Sequence, residues 1–97
     1  MPTYISLMHW TQEGIRAVKD GPARLDMAKQ AAKAAGGEIK AVYLVMGQYD
    51  LILVFEAPDD QTVARNVIAN GMQGFVRTET MRAFTEDEYR KIVASLP

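Results

Sequence analysis

No cysteine occurs anywhere in the 97 residues. Disulfides, thiolate nucleophiles, iron–sulfur clusters and Cys-ligated zinc are therefore excluded. Histidine is nearly as scarce: His9 stands alone, so no multi-histidine metal site can form within one chain. Neither sign of charge predominates, since 11 Lys and Arg face 12 Asp and Glu for a net charge of -1. No cluster of cations is interleaved with aromatics, and without one the phosphates of a nucleic acid cannot be neutralised. No uninterrupted apolar run approaches membrane-spanning length, so no membrane partner is expected. Met1-Pro2-Thr3 passes straight into a strand pattern, without the basic segment and apolar core of a signal peptide, and a cytoplasmic location is expected. What is present is a foldable balance, with nearly half the residues hydrophobic and about a quarter charged. The length suits one domain over residues 1–97 and leaves no room for two catalytic lobes.

Tyr4 to Trp10 is rich in strand formers, and Thr11 offers an N-cap for a short helix carrying Ile15 and Val18. Gly21-Pro22 interrupts that helix, and Pro22 suits the first turn of the next. There Leu25, Ala28, Ala32 and Ala35 make a stripe at helical spacing, ended by Gly36-Gly37. Glu38 to Met46 reads as a second strand, turned by a two-residue Gly47-Gln48 hairpin that sets Met46 against Tyr49 and Leu44 against Leu51. The third strand then has one face of Leu51, Leu53 and Phe55, and another of Asp50, Ile52, Val54 and Glu56. Pro58, Asp59 and Asp60 open a helix with Val63, Val67 and Ile68 inward and Asn70-Gly71 as its stop. Phe75 to Phe84 forms a fourth strand of mixed polarity, suited to an edge. Thr85 and Glu88 make a capping box for a last helix whose Tyr89, Ile92, Val93 and Leu96 share one side.

This order predicts an α+β chain, a ferredoxin-like βαββαβ with an extra C-terminal helix, a four-stranded antiparallel sheet and helices on one face. Right-handed crossovers are expected to bring the first and third strands together at the centre, running parallel. The other face stays open and carries Ile52 and Val54, too much contiguous apolar surface for a monomer, so sheet faces are expected to pair in a dimer.

Gly47-Gln48-Tyr49-Asp50, Glu56-Ala57-Pro58-Asp59-Asp60 and Val76-Arg77-Thr78-Glu79-Thr80-Met81-Arg82-Ala83-Phe84 resemble signatures of the GYD domain family, small bacterial and archaeal proteins. Trp10-Thr11-Gln12-Glu13-Gly14-Ile15-Arg16 resembles its first strand-to-helix junction. The resemblance runs over essentially the whole chain. It implies a ferredoxin-like fold of the dimeric α/β-barrel kind and no particular activity.

Parallel central strands would gather His9, Trp10, Glu38, Glu56 and Arg77 at one sheet end, and Tyr4, Tyr49, Asp50 and Arg82 at the other. His9 is the one side chain whose ordinary pKa lies near neutrality; Glu56 could orient it and Arg77 could hold an anion, although His9 could equally end a strand in a structural role. Tyr49 and Asp50 offer a polar fringe to a small apolar ligand, or serve the turn. Arg77 with Glu79 reads as an ion pair and Trp10 as interface packing or a ligand platform. The methionines read as filler, and Asp59-Asp60 and Glu86-Asp87-Glu88 as dipole-matched helix starts, so no metal and no cofactor are expected.

Two functions compete. One is a homo-oligomeric binding or assembly module with an apolar pocket beside the sheet. The other is a cofactor-independent enzyme of the monooxygenase or isomerase type on the same fold. A small-molecule sensor acting through partner proteins is a third possibility. On the first reading Ile52→Lys dissociates or unfolds the oligomer and Lys33→Glu does little, as sedimentation velocity would show.

Overall fold

The β-branched and aromatic residues near the N-terminus form β1 (Thr3–Trp10), an interior strand of the sheet in the computed structural model, which describes residues 1–97. The Thr11 hydroxyl accepts the Gly14 N–H at 3.0 Å and starts α1 (Gln12–Arg16). A 3-10 turn (Val18–Asp20) leads into α2 (Gly21–Ala34), with Pro22 in its first turn and the expected Leu25, Ala28, Ala32 and Ala35 stripe half-buried. Then follow β2 (Glu38–Leu44), β3 (Leu51–Glu56), α3 (Asp60–Gln73), β4 (Val76–Ala83) and α4 (Glu86–Ala94). Asp59 caps α3 by accepting the Thr62 N–H, and the Thr85–Glu88 capping box closes α4 as its sequence predicts. α3 does not stop at Asn70-Gly71. It continues to Gln73 and ends on Gly74, at φ 83°. Gly71 stays helical, and its missing side chain leaves room for the Arg77 guanidinium, which lies 3.1 Å from where a Cβ would stand.

The sheet order is β2-β3-β1-β4, and every neighbouring pair is antiparallel. The central pair is thus not parallel as expected. A helical crossover returns β2 in the direction of β1, and the hairpin then reverses β3, so β3 must oppose β1. This is the ferredoxin-like arrangement, with β4 at an edge. Leu44 pairs with Leu51 in the predicted register, but the connection is longer than two residues. The Val45 N–H donates to the Asp50 carbonyl at 2.8 Å, leaving Met46 to Tyr49 as the loop, with Gly47 at φ 121° and Met46 99% exposed. Met46 does not face Tyr49, because the next residues belong to β1: the Asp50 N–H donates to the Met8 carbonyl at 2.8 Å and the Asp50 carboxylate accepts the Trp10 N–H at 2.9 Å. Between Ile39 and Ala41 the β2–β3 register slips, so that Lys40 bulges from the outer strand, 3.4 Å from Glu56 and 3.9 Å from Glu38.

Strand alternation decides where the core lies. Tyr4, Ser6 and Leu53 are buried on one face, with Ala57 and Val63 closing the cluster beneath α3 and the Tyr4 ring stacked on Phe55 at 5.4 Å. Their neighbours Ile5, Leu7, Ile52 and Val54 occupy the other face, and none of them is buried. α4 packs little against the rest of the chain, and the molecule measures 52 Å along its long axis.

The tightest backbone approach joins α1 to the start of β4. The Thr11 N–H donates to the Phe75 carbonyl at 3.1 Å, and a Cβ on Gly14 would stand 1.9 Å from that same oxygen. Gly14→Ala should therefore lower stability by about 2–3 kcal/mol in urea unfolding. Gly21→Ala, at a helical position with nothing within 4 Å, should leave it unchanged or raise it by up to about 1 kcal/mol.

Candidate functional site

An antiparallel sheet sorts its ends differently from the expectation. His9, Trp10, Tyr49, Asp50 and Arg77 gather at one end; Tyr4, Glu38, Glu56 and Arg82 gather at the other. Cross-strand pairing places Thr3 beside Glu56 and His9 beside Arg77, so Glu56 and His9 share the open face but lie six residues apart along β1. That separation is about 20 Å, and it removes Glu56 as the group that orients His9. Glu56 instead pairs with Lys40.

The side chain packed against His9 is Tyr49. Its ring centroid lies 4.7 Å from that of His9 at an interplanar angle of 38°, and its hydroxyl donates to Glu79 Oε2 at 2.8 Å. Glu79 sits opposite Leu7 on β4, on the face that carries His9. Tyr49 therefore reaches from the β2–β3 loop across β1 to β4 and fastens the end of the open face. The bond to Glu79 raises the Tyr49 pKa, with loss of water contact and the negative charge of Glu79 adding to it. Glu79 was paired with Arg77 on sequence grounds, and that ion pair does not form, because the Arg77 guanidinium turns round the sheet edge to Gly71 of α3. The signal for Glu79 was present: with β1 and β4 adjacent, an acid one pair along from His9 on the same face follows from the alternation.

The other candidates divide. Asp50 caps the end of β1 through the Trp10 N–H, a structural task. Trp10, opposite Val76, has the strand parity of Tyr4 and Ser6 and so belongs to the helix-side face, away from His9. At the far end, the Tyr4 hydroxyl donates to Asp60, which raises the Tyr4 pKa, and Arg82 stacks 4.4 Å from the Phe84 ring while its guanidinium lies 3.7 Å from Glu88. Two clefts, of about 420 and 320 Å³, lie between α3 and β4 on the helix side and share Val67 and Ile68. Neither is lined by His9, Tyr49 or Asp50. No group of three His, Asp or Glu side chains is placed to hold a metal ion. The chemistry on offer is a phenol clamped between an imidazole and a carboxylate, at the rim of an uncovered apolar sheet.

The sequence profile of the GYD domain family matches residues 4–93. A Thermus thermophilus protein named glutamine synthetase and cystathionine beta-lyase binding protein is 34% identical over 84 residues, covering 86% of this chain and 88% of that one. Among solved structures, FFRP-DM1 is 26% identical with a TM-score of 0.57, covering 87% of this chain and 100% of that chain. A hypothetical protein from Pyrococcus horikoshii is also 26% identical, with a TM-score of 0.53 and coverage of 89% and 93%. These likenesses place the fold among small ferredoxin-like proteins.

Because Tyr49 has a raised pKa, its bond to Glu79 is fully present below the ordinary tyrosine range and is lost as pH rises through the elevated value. Tyrosinate absorbance, read as the difference between the parent and Tyr49→Phe, should show Tyr49 titrating at lower pH once Glu79→Gln removes the carboxylate.

Proposed function

The chain belongs to the GYD domain family, and from that premise we propose that it is a small homo-oligomeric binding and assembly module, pairing its open sheet face with a second copy and presenting the assembled surface to partner proteins. The observation that carries this is the asymmetry of burial across the sheet. Every buried strand residue lies on the helix side, while Ile5, Leu7, Ile52 and Val54 remain uncovered at the centre of the other face. Two such faces stacked about 10 Å apart would remove that apolar surface from water. The name of the Thermus thermophilus relative, a binding protein for two metabolic enzymes, supports protein partners for the assembled module. The space between the stacked sheets would suit a small apolar ligand, with the Tyr49 clamp at its rim.

The second reading, a cofactor-independent enzyme, is favoured by one observation: His9, Tyr49 and Glu79 converge on the open face. A second copy would have to close a cavity over them, since neither α3–β4 cleft includes them. On that reading His9→Ala would abolish turnover of a found substrate without dissociating the dimer.

Sedimentation velocity at micromolar concentration should give a dimer or a higher oligomer; a stable monomer would end the assembly reading. Purified glutamine synthetase and cystathionine beta-lyase from the same source organism, immobilised for interferometry, should retain the parent protein. Ile52→Lys should lose that retention together with its oligomeric state.

A further inference from the structure

Stacking the open faces leaves two other apolar surfaces in water, because neither lies on the sheet face. The first is the seam between α3 and β4. Its two clefts share Val67 and Ile68 and so make one trough, running from Tyr4 and Asp60 at one end to Met72 and Arg77 at the other. Ile68 and Met72, one helical turn apart on its lip, are 65% and 81% exposed. The second is α4. Tyr89, Ile92 and Val93 share a single helix face, Leu96 follows just beyond the C-cap, and Tyr89 and Leu96 are 61% and 64% exposed.

We propose that α4 of one copy docks, apolar stripe inward, into the α3–β4 trough of a second copy, so that a pair of chains exchanges arms. This rests on the self-association proposed above and specifies how it is locked. Dimensions agree: the helical stripe from Tyr89 to Val93 spans about 6 Å at 1.5 Å per residue and fits within the β4 wall of the trough, which spans about 20 Å from Val76 to Arg82. Tyr89, Ile92 and Val93 stand at i, i+3 and i+4, spacings by which an amphipathic helix fills a groove.

Charge agrees as well. Glu86, Asp87 and Glu88 crowd the first turn of α4. The Met72 end of the trough is lined by Arg77, which forms no ion pair within its own chain. The chain's own α4 does not fill its own trough. Only Phe84 and Thr85 separate β4 from α4, and the Arg82–Glu88 pair, with Arg82 stacked on Phe84, fixes the first turn at the Tyr4 end. From there the helix packs little against the rest of the chain and leaves its stripe exposed.

The absence of cysteine allows a direct test with full-length protein. Ile92→Cys and Ile68→Cys chains are mixed, equilibrated and oxidised, and disulfide-linked dimers are read on non-reducing gels. A docked arm holds the two thiols at high effective concentration, so the mixed dimer should exceed that from Ile92→Cys with Lys33→Cys by roughly tenfold or more. No excess over the Lys33→Cys control, or preferred coupling to Ile52→Cys, overturns the proposal. Sedimentation of the unoxidised chains separates the two ideas: dimers that fail to cross-link refute arm exchange and leave self-association standing, whereas monomers refute both. The double variant Ile92→Ser/Val93→Ser, altering residues that touch little of their own chain, should keep its helical content and weaken the dimer roughly 100-fold, equivalent to about 2.7 kcal/mol. An unchanged dimer constant overturns the docking. So does loss of enzyme binding with the dimer intact, which would assign the stripe to that partner.

Discussion

Tyr4 joins more of this molecule than any other side chain. Its ring is almost wholly buried, stacks on Phe55 of β3 and packs on Ala57 and Val63, which brings α3 onto the sheet. Its hydroxyl reaches Asp60 at the first turn of α3, where a carboxylate also suits the positive end of the helix. Arg82 passes beside the same ring on its way to Phe84 and Glu88, so the course of α4 is set from the same place. One residue thus couples the sheet, the helix layer and the projecting arm. It does so because strand alternation commits Tyr4, and with it Ser6, Leu53 and Phe55, to the covered side. The same alternation commits Ile5, Leu7, Ile52 and Val54 to the uncovered side, so the apolar face is the obligatory counterpart of the core.

Most of the element map was legible in the sequence, because its signals are local. Thr11, Pro22, the Thr85–Glu88 box and the Leu25 to Ala35 stripe each act over one or two turns, and each does in the fold what the spacing implies. The Leu44–Leu51 register was legible too, since only that pairing keeps the apolar residues of β3 on their faces. What failed depended on distant partners. The hairpin is longer than two residues because Asp50 bonds to β1, forty positions away, and nothing near Gly47 encodes that. α3 runs past Gly71 to the left-handed Gly74, and the space beside Gly71 receives the Arg77 guanidinium from β4.

The candidate site shows the same division. Tyr49 and His9 were assigned to opposite ends, whereas their rings lie side by side, and that error followed from taking the central strands as parallel. Once their direction is reversed, the sorting of the polar residues follows without further information, and Glu79 enters as the acceptor that the phenol needs. Glu56 leaves the site for the same reason. The resulting clamp spans three elements at the border of the apolar face.

The bulge at Lys40 has a consequence for how copies of this chain can grow. β2 is one rim of the sheet, and an open rim invites another strand to add to it without limit. Here the rim is bent by the extra residue and carries an ammonium between Glu38 and Glu56, while the opposite rim on β4 alternates exposed Arg77, Glu79 and Met81. Strand addition is opposed at both rims. Association on the proposed reading would fall to faces and helices, which a symmetric pair can satisfy completely, giving a particle of finite size.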